Sequence, residues 1–317
     1  MDQQQDNNHP HTYIPPTPYR ISTITATGCV GTSINLDVLY NNLEICSDDN
    51  KDGIVHDGIL YVEYGKKKSE TIFKGIAKKF SIQRRKEKPT KRFDNQVTLI
   101  YRCNNNNLNI KTFRNGNIQV TGIKTIENGP SVVDNMIKIL KNIHDTKDKN
   151  VIENVDDLKN INFSIRLINT DYKVGFNIKR EILHRILIND YDIGCSYEPC
   201  IYPGVKIQYF YNLDNNKHDG ICKCSLNKCH DKKGGTGKGD NNCKKITIAV
   251  FQSGCIIITG SQTKNQIDEC YDFINKILYD NTSNIEKKNF TLPEDIEVNT
   301  GKKIVLIPKS KIRHVNN

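Results

Sequence analysis

Apolar residues return along this chain in two rhythms. In the first half, YRISTITATGCVG (residues 19–31) is rich in β-branched residues and predicts a strand. INLDVLYNNL follows with Leu36, Leu39, Tyr40 and Leu43 at helical spacing, a helix for Ser33 or Asn35 to cap. NQVTLIYRC, LNIKTF and NIQVTG predict three strands in succession. PSVVDNMIKILKNI then predicts a helix with Val132, Val133, Met136, Ile137 and Leu140 on one face and Pro130 near its start. The second half runs the same way. FSIRLINTDYKVGF predicts a strand and NIKREILHRIL a helix. GVKIQYFY, ITIAVF and CIIITG predict three more strands, and NQIDECYDFINKIL closes with the clearest helical pattern in the chain.

One phrase is written twice: FRNGNIQVTG at residues 113–122 and FQSGCIIITG at residues 251–260. Two copies of strand, helix, several strands and helix predict an α+β fold. Consecutive strands pair antiparallel, helices cover one face, and the two half-sheets fuse edge to edge about a pseudo-two-fold. The other sheet face is left open and calls for a partner. The expected organisation is a disordered tail at 1–18, repeat one at 19–145 with an insertion at about 48–89, and a linker at 146–159. Repeat two follows at 160–280 with a Cys-rich insertion at about 212–245, then a C-terminal extension at 281–317.

The net charge of +10 favours a polyanionic partner, and the basic run KKFSIQRRKEKPTKR in the first insertion is a candidate phosphate-contacting arm or simply a solvated surface. No apolar run is long enough to span a membrane, so no membrane partner is expected. The polar, Pro-rich start lacks the pattern of a secretory signal, so the 11 Cys are expected reduced, inside a cell. In CKCSLNKCHDKKGGTGKGDNNC, the residues Cys222, Cys224, Cys229, His230 and Cys243 are of the types that ligate zinc, at a spacing unlike a standard finger; the alternative is a loop with unligated thiols. GGTGKGD fails as a phosphate loop, because Lys232 stands at the first Gly position and Gly239 follows Lys238. Cys195 and His184 form no recognisable nucleophile pair. Nothing argues for an enzyme; a metal enzyme built on the Cys/His insertion is the remote alternative.

SYEPCIYPG (residues 196–204), followed by ITIAVFQSGCIIITG (246–260), resembles the second repeat of the TATA-box-binding protein core. KRFDNQVTLIYRC and FRNGNIQVTG represent the first repeat. The resemblance covers roughly residues 19–145 and 160–280, apart from both insertions. It implies a saddle: a curved antiparallel sheet of two repeats, helices on the convex face, and a concave face on the DNA minor groove, where apolar wedges kink the duplex. It implies wedges at Phe93, Phe113, Tyr202 and Phe251. Groove-floor positions fall on Thr23, Thr25, Lys111, Gln119, Thr121, Leu167, Asn169, Pro203, Ala249, Ile257 and Thr259. Thr23 and Leu167 stand where the family has two base-contacting Asn, which puts strict TATA preference in doubt. Glu198 and Ile201 carry over as contacts for a transcription factor IIB-like protein, with Cys200 replacing a second acidic residue. The implied partners are AT-rich double-stranded DNA and the RNA polymerase machinery, in the nucleus or a viral transcription compartment. The composition and insertions look like versions from large DNA viruses or divergent protists. A saddle kept as a protein-interaction scaffold, with DNA binding weak or lost, is the alternative function.

Overall fold

Alternation builds one layer and helical periodicity builds the other. The computed structural model describes residues 14–46, 57–65, 71–75, 95–212, 218–222, 224, 230–231, 234–235 and 243–287. The elements are β1 (Arg20–Cys29), α1 (Leu36–Asn42), β2 (Gly58–Gly65), β3 (Thr71–Gly75), β4 (Gln96–Cys103), β5 (Asn106–Phe113), β6 (Asn117–Ile123) and α2 (Gly129–Thr146). The second half supplies β7 (Ile161–Lys173), α3 (Arg180–Asn189), β8 (Cys195–Ser196), β9 (Val205–Tyr211), β10 (Lys244–Val250), β11 (Cys255–Ser261), α4 (Lys264–Asp280) and the short α5 (Thr282–Ile285).

These eleven strands form one sheet in the order β3-β2-β4-β5-β6-β1-β7-β11-β10-β9-β8, and among the described residues His230–Asp231 and Gly234–Gly235 pair as a separate two-stranded sheet. Every adjacent pair is antiparallel. The order is a palindrome about the β1–β7 pair, with β3 appended at one edge. The α+β architecture of two fused pseudo-symmetric repeats is therefore present. β2 and β3 both fall inside the span read as the first insertion. β2 fills the place in repeat one that β8 fills in repeat two, and β3 has no counterpart.

One face of the sheet is closed by helices. Ile24, Ala26, Ile110, Ile118, Val120, Ile168, Ile246, Ile248, Ile256 and Ile258 point to it and are buried against Val133, Met136 and Leu140 of α2, Leu183 and Leu187 of α3, and Ile267, Ile274 and Leu278 of α4. Each such aliphatic burial contributes about 1.5–3 kcal/mol. Asn35, one of the two expected caps, is the one used: its side chain accepts from Val38 N at 3.3 Å.

Disorder was expected through residue 18, but residues 14–18 are placed. Tyr279 Oη donates to Ile14 O at 2.6 Å, Tyr271 Oη donates to Thr17 O at 3.0 Å, and Thr17 N donates to Lys173 O at 2.9 Å. Phenols at the wet rim of α4 supply donors that a polar tail can satisfy. The expected linker is likewise packed where Val151 and Ile152 are buried and Ile152 bridges to Ile34.

Candidate nucleic-acid interface

The repeated phrase has a backbone reason. In each copy the first Gly closes a turn: Gly116 N donates to Phe113 O at 3.0 Å, and Gly254 N donates to Phe251 O at 3.1 Å. Their φ values are +78° and +74°, which L side chains rarely adopt. The last Gly of each copy sits at a bulge. β1 steps from Thr121 to Ile123 past Gly122, and β7 steps from Thr259 to Ser261 past Gly260; φ is +107° and +104°. The phrase therefore fixes a turn and a bulge at matching places in both half-sheets.

Register sets the open face in four rows. Two belong to the flanks: Thr98, Lys111, Gln119 and Thr27 in repeat one, and Lys206, Ala249, Ile257 and Asp171 in repeat two. Two cross the dyad: Asn109, Thr121, Thr25 and Leu167, and Thr247, Thr259, Asn169 and Thr23. The pairs Thr23↔Asn169 and Thr25↔Leu167 are related by the pseudo-two-fold. Asn169 thus occupies the position equivalent to Thr25, and Leu167 the position equivalent to Thr23. Asn169 Oδ1 accepts from Thr259 Oγ1, and Thr25 Oγ1 lies 3.4 Å from Thr121 Oγ1. The centre of this face is a half-buried band of short hydroxyls with two amides and one Leu. Ala249 is recessed, only 3% exposed.

At the end of repeat two, Tyr202 and Phe251 stand together with ring centroids 5.7 Å apart and planes tilted by 58°. Gly204 lies beneath them. A Cβ there would come within 2.9 Å of Tyr202 and 3.2 Å of Phe251, so only Gly lets the rings settle onto the backbone. Lys206 Nζ lies 4.1 Å from the Tyr202 ring centroid, a cation–π contact. Burial pushes the Tyr202 phenol up. Arg180 ties the two loop tips together, donating to Pro203 O and, at 3.3 Å, to Gln252 Oε1. In repeat one, Phe113 lines a cleft of about 820 Å³ with Asn95, Arg114, Asn115 and Gln119. Phe93, like the whole of the basic run before it, lies outside the described residues.

Two groups on this face were not legible in the sequence. β1 and β7 each carry a bulge at Ser22 and Arg166, matching places in the two repeats. The bulge turns Arg166 out of strict alternation, and its Nε donates to Thr27 Oγ1 at 2.8 Å. Arg20 Nε pairs with Asp171 Oδ2 at 2.8 Å, neutralising the acid on the flank of repeat two.

At the β8–β9 edge, residues 198–202 form a turn in which the N–H groups of Ile201 and Tyr202 both donate to Glu198 O, at 2.9 and 2.8 Å. Ile201 is 80% exposed. Cys195 donates its thiol to the backbone carbonyl of His184 at 3.8 Å rather than to the imidazole, and burial pushes that thiol up to about 11. A thiol so disposed is a poor nucleophile at neutral pH. Of the expected zinc ligands, Cys222, Cys224 and Cys243 are brought together; Cys229 lies outside the described residues.

No protein-family model matches the chain. It is 31% identical over 268 residues to a protein of Acanthamoeba polyphaga mimivirus named TATA-box-binding protein-like, a match covering 82% of this chain and 64% of that protein. The chain thus spans about 64% of the length of that curated relative. Among solved structures, Methanococcus jannaschii TBP is similar at 17% identity, covering 83% of this chain and 99% of that one, with a TM-score of 0.44.

Proposed function

We propose that this chain, a homologue of a TATA-box-binding protein-like protein, is a transcription initiation factor that binds duplex DNA in the minor groove and bends it. The observation that carries this reading is the open sheet face. Its rows repeat about one dyad, and an aromatic pair, Tyr202 and Phe251, stands at one end of it.

The chemistry suits the groove. Minor-groove edges offer a degenerate set of acceptors, so shape, apolar contact and ease of deformation do much of the reading. Thr25, Thr121, Thr259 and Thr23 present methyl groups and hydroxyls without bulk, and Leu167 and Ile257 add apolar contact. Asn169 spends its oxygen on Thr259, which leaves its amide nitrogen as the donor toward a base edge. Inserting a ring between base pairs costs a few kcal/mol of stacking per step, and a bent duplex regains it through contact with the whole face. Arg166 and Lys206 are positioned to meet phosphates on either side. Thr23 and Leu167 at the family's two Asn positions support a preference for deformable AT-rich sequence rather than one strict site.

Glu198 and the bare Ile201 support docking of a transcription factor IIB-like partner of the polymerase machinery at the β8–β9 edge. A scaffold that retains the sheet without DNA is the second reading. Glu63, an acid that pairs with Thr98 at the outer end of the repeat-one row, favours it.

Gel-shift titration of an AT-rich duplex across salt, with and without a minor-groove drug, tests the choice. Groove binding predicts affinity that falls steeply with salt and competition by the drug. Absence of binding to any duplex at low salt would overturn it in favour of the scaffold.

A further inference from the structure

We propose that Cys222, Cys224 and Cys243 form a zinc site at the foot of the insertion joining β9 to β10. Their Sγ atoms all lie within 4.8 Å of one another. Zn–S bonds of about 2.3 Å in tetrahedral geometry hold two sulfurs about 3.8 Å apart. The three thiols therefore reach that geometry with shifts of about 1 Å or less.

The fold explains why they meet. Tyr211 pairs with Lys244 as the last rung of the β9–β10 ladder, so both ends of the insertion leave the sheet side by side. Cys243 is the residue just before that rung. From the other end, the chain returns to β9: Phe210 N donates to Gly220 O at 2.9 Å, with Gly220 at φ +72° against the Tyr209 ring. An Asx turn follows, Asp219 Oδ1 accepting from Ile221 N at 3.0 Å. It leads into Cys222 and Cys224.

Cys224 and Cys243 are buried and Cys222 half-buried, all packed with Phe210 in a small cluster separate from the main core. Asn212 Nδ2 donates to Cys224 Sγ at 3.8 Å, the kind of outer hydrogen bond that steadies a metal-bound thiolate. A single buried Cys is ordinary packing, as Cys270 on the buried face of α4 is. Three converging beside a sequence written GGTGKGDNN are not, because that sequence offers almost no apolar side chains whose burial could offset its ordering. An all-thiolate set selects soft metals, and redox-inert zinc fits a structural clip in a reducing compartment. The fourth coordination position falls to a further donor.

The test reads metal, not DNA, so its outcome is independent of the groove-binding reading. The full chain is purified with zinc and reductant, and its metal is measured. About one zinc per chain is expected. Cys224→Ser and Cys243→Ser should bring it near zero, while Cys200→Ser, at an exposed thiol outside the site, keeps it. Substituting a buried Cys also risks the fold, so the wild-type chain is stripped with a chelator and titrated with cobalt(II). Thiolate charge-transfer absorbance with tetrahedral ligand-field bands is the expected result, reversed by zinc. A folded wild-type chain that holds no zinc and gives no such bands would overturn the proposal. So would a disulfide among the three, or full zinc retained in the Cys224→Ser, Cys243→Ser double variant.

Discussion

Gly254 and Gly116 hold left-handed backbone with no room for a side chain: a Cβ would lie 2.5 Å from Phe176 O and 2.2 Å from Thr32 O respectively. Gly254→Ala and Gly116→Ala should each destabilise by at least about 1–2 kcal/mol, the cost of placing an L residue at such a φ. Gly194→Ala, where a Cβ meets nothing within 4 Å, should change stability by less than about 0.5 kcal/mol. Urea midpoints at unchanged m-value measure both. The proposed wedge chemistry is also set residue by residue. The ring of Tyr202 is the part that would wedge and its hydroxyl is dispensable, so Tyr202→Phe should bind duplex within about twofold of wild type. Tyr202→Ala loses both the Phe251 contact and the wedge and should weaken binding about tenfold or more, roughly 1.4 kcal/mol. Quantitative gel shifts check the pair.

At the scale of elements, the two long helices differ at their starts. Thr263 Oγ1 accepts from Gln266 N at 3.4 Å, and Gln266 Oε1 accepts from Gln262 N at 2.7 Å, a reciprocal cap on α4. Asn128 before α2 makes no side-chain cap. Thr263→Ala should therefore cost about 1 kcal/mol and Asn128→Ala almost nothing, read as shifts in thermal midpoint. These helices and most strands were legible because periods of 3.6 and 2 are written in Ile, Leu and Val. The turn and bulge glycines were visible as a repeated phrase, although their left-handed backbone was not. The bulges at Ser22 and Arg166 were hidden, since a bulge breaks the alternation that strand reading relies on. Strict alternation from Leu167 would put Arg166 on the helix-covered side, whereas it is exposed beside Thr27. β3 was also missed: a five-residue edge strand inside a polar insertion leaves little pattern. The Cys set was readable by residue type, but its convergence depends on the Tyr211–Lys244 rung, which only the register reveals.

At the scale of the whole molecule, the sheet is symmetric in backbone and asymmetric in chemistry. Repeat one presents Lys111, Gln119 and Thr27 where repeat two presents Ala249, Ile257 and Asp171. In the proposed complex a duplex would meet Lys111 and polar side chains on one flank and the apolar Ala249 and Ile257 on the other. Under the proposed function, that difference would orient the protein on a site that lacks symmetry. Arg166→Ser, which restores the residue found at the matching bulge of repeat one, should leave the fold intact and reduce the slope of log affinity against log salt by about 1. The central claim is that the open face bends DNA with aromatic rings set at the ends of its two half-sheets. Energy transfer between dyes at the two ends of a short AT-rich duplex tests it most directly. The wild-type chain should bring the ends together, and the Phe113→Ala, Phe251→Ala double variant, verified as folded, should leave the duplex straight. Equal bending by the wild type and the double variant, or a straight duplex bound by the wild type, would contradict the account.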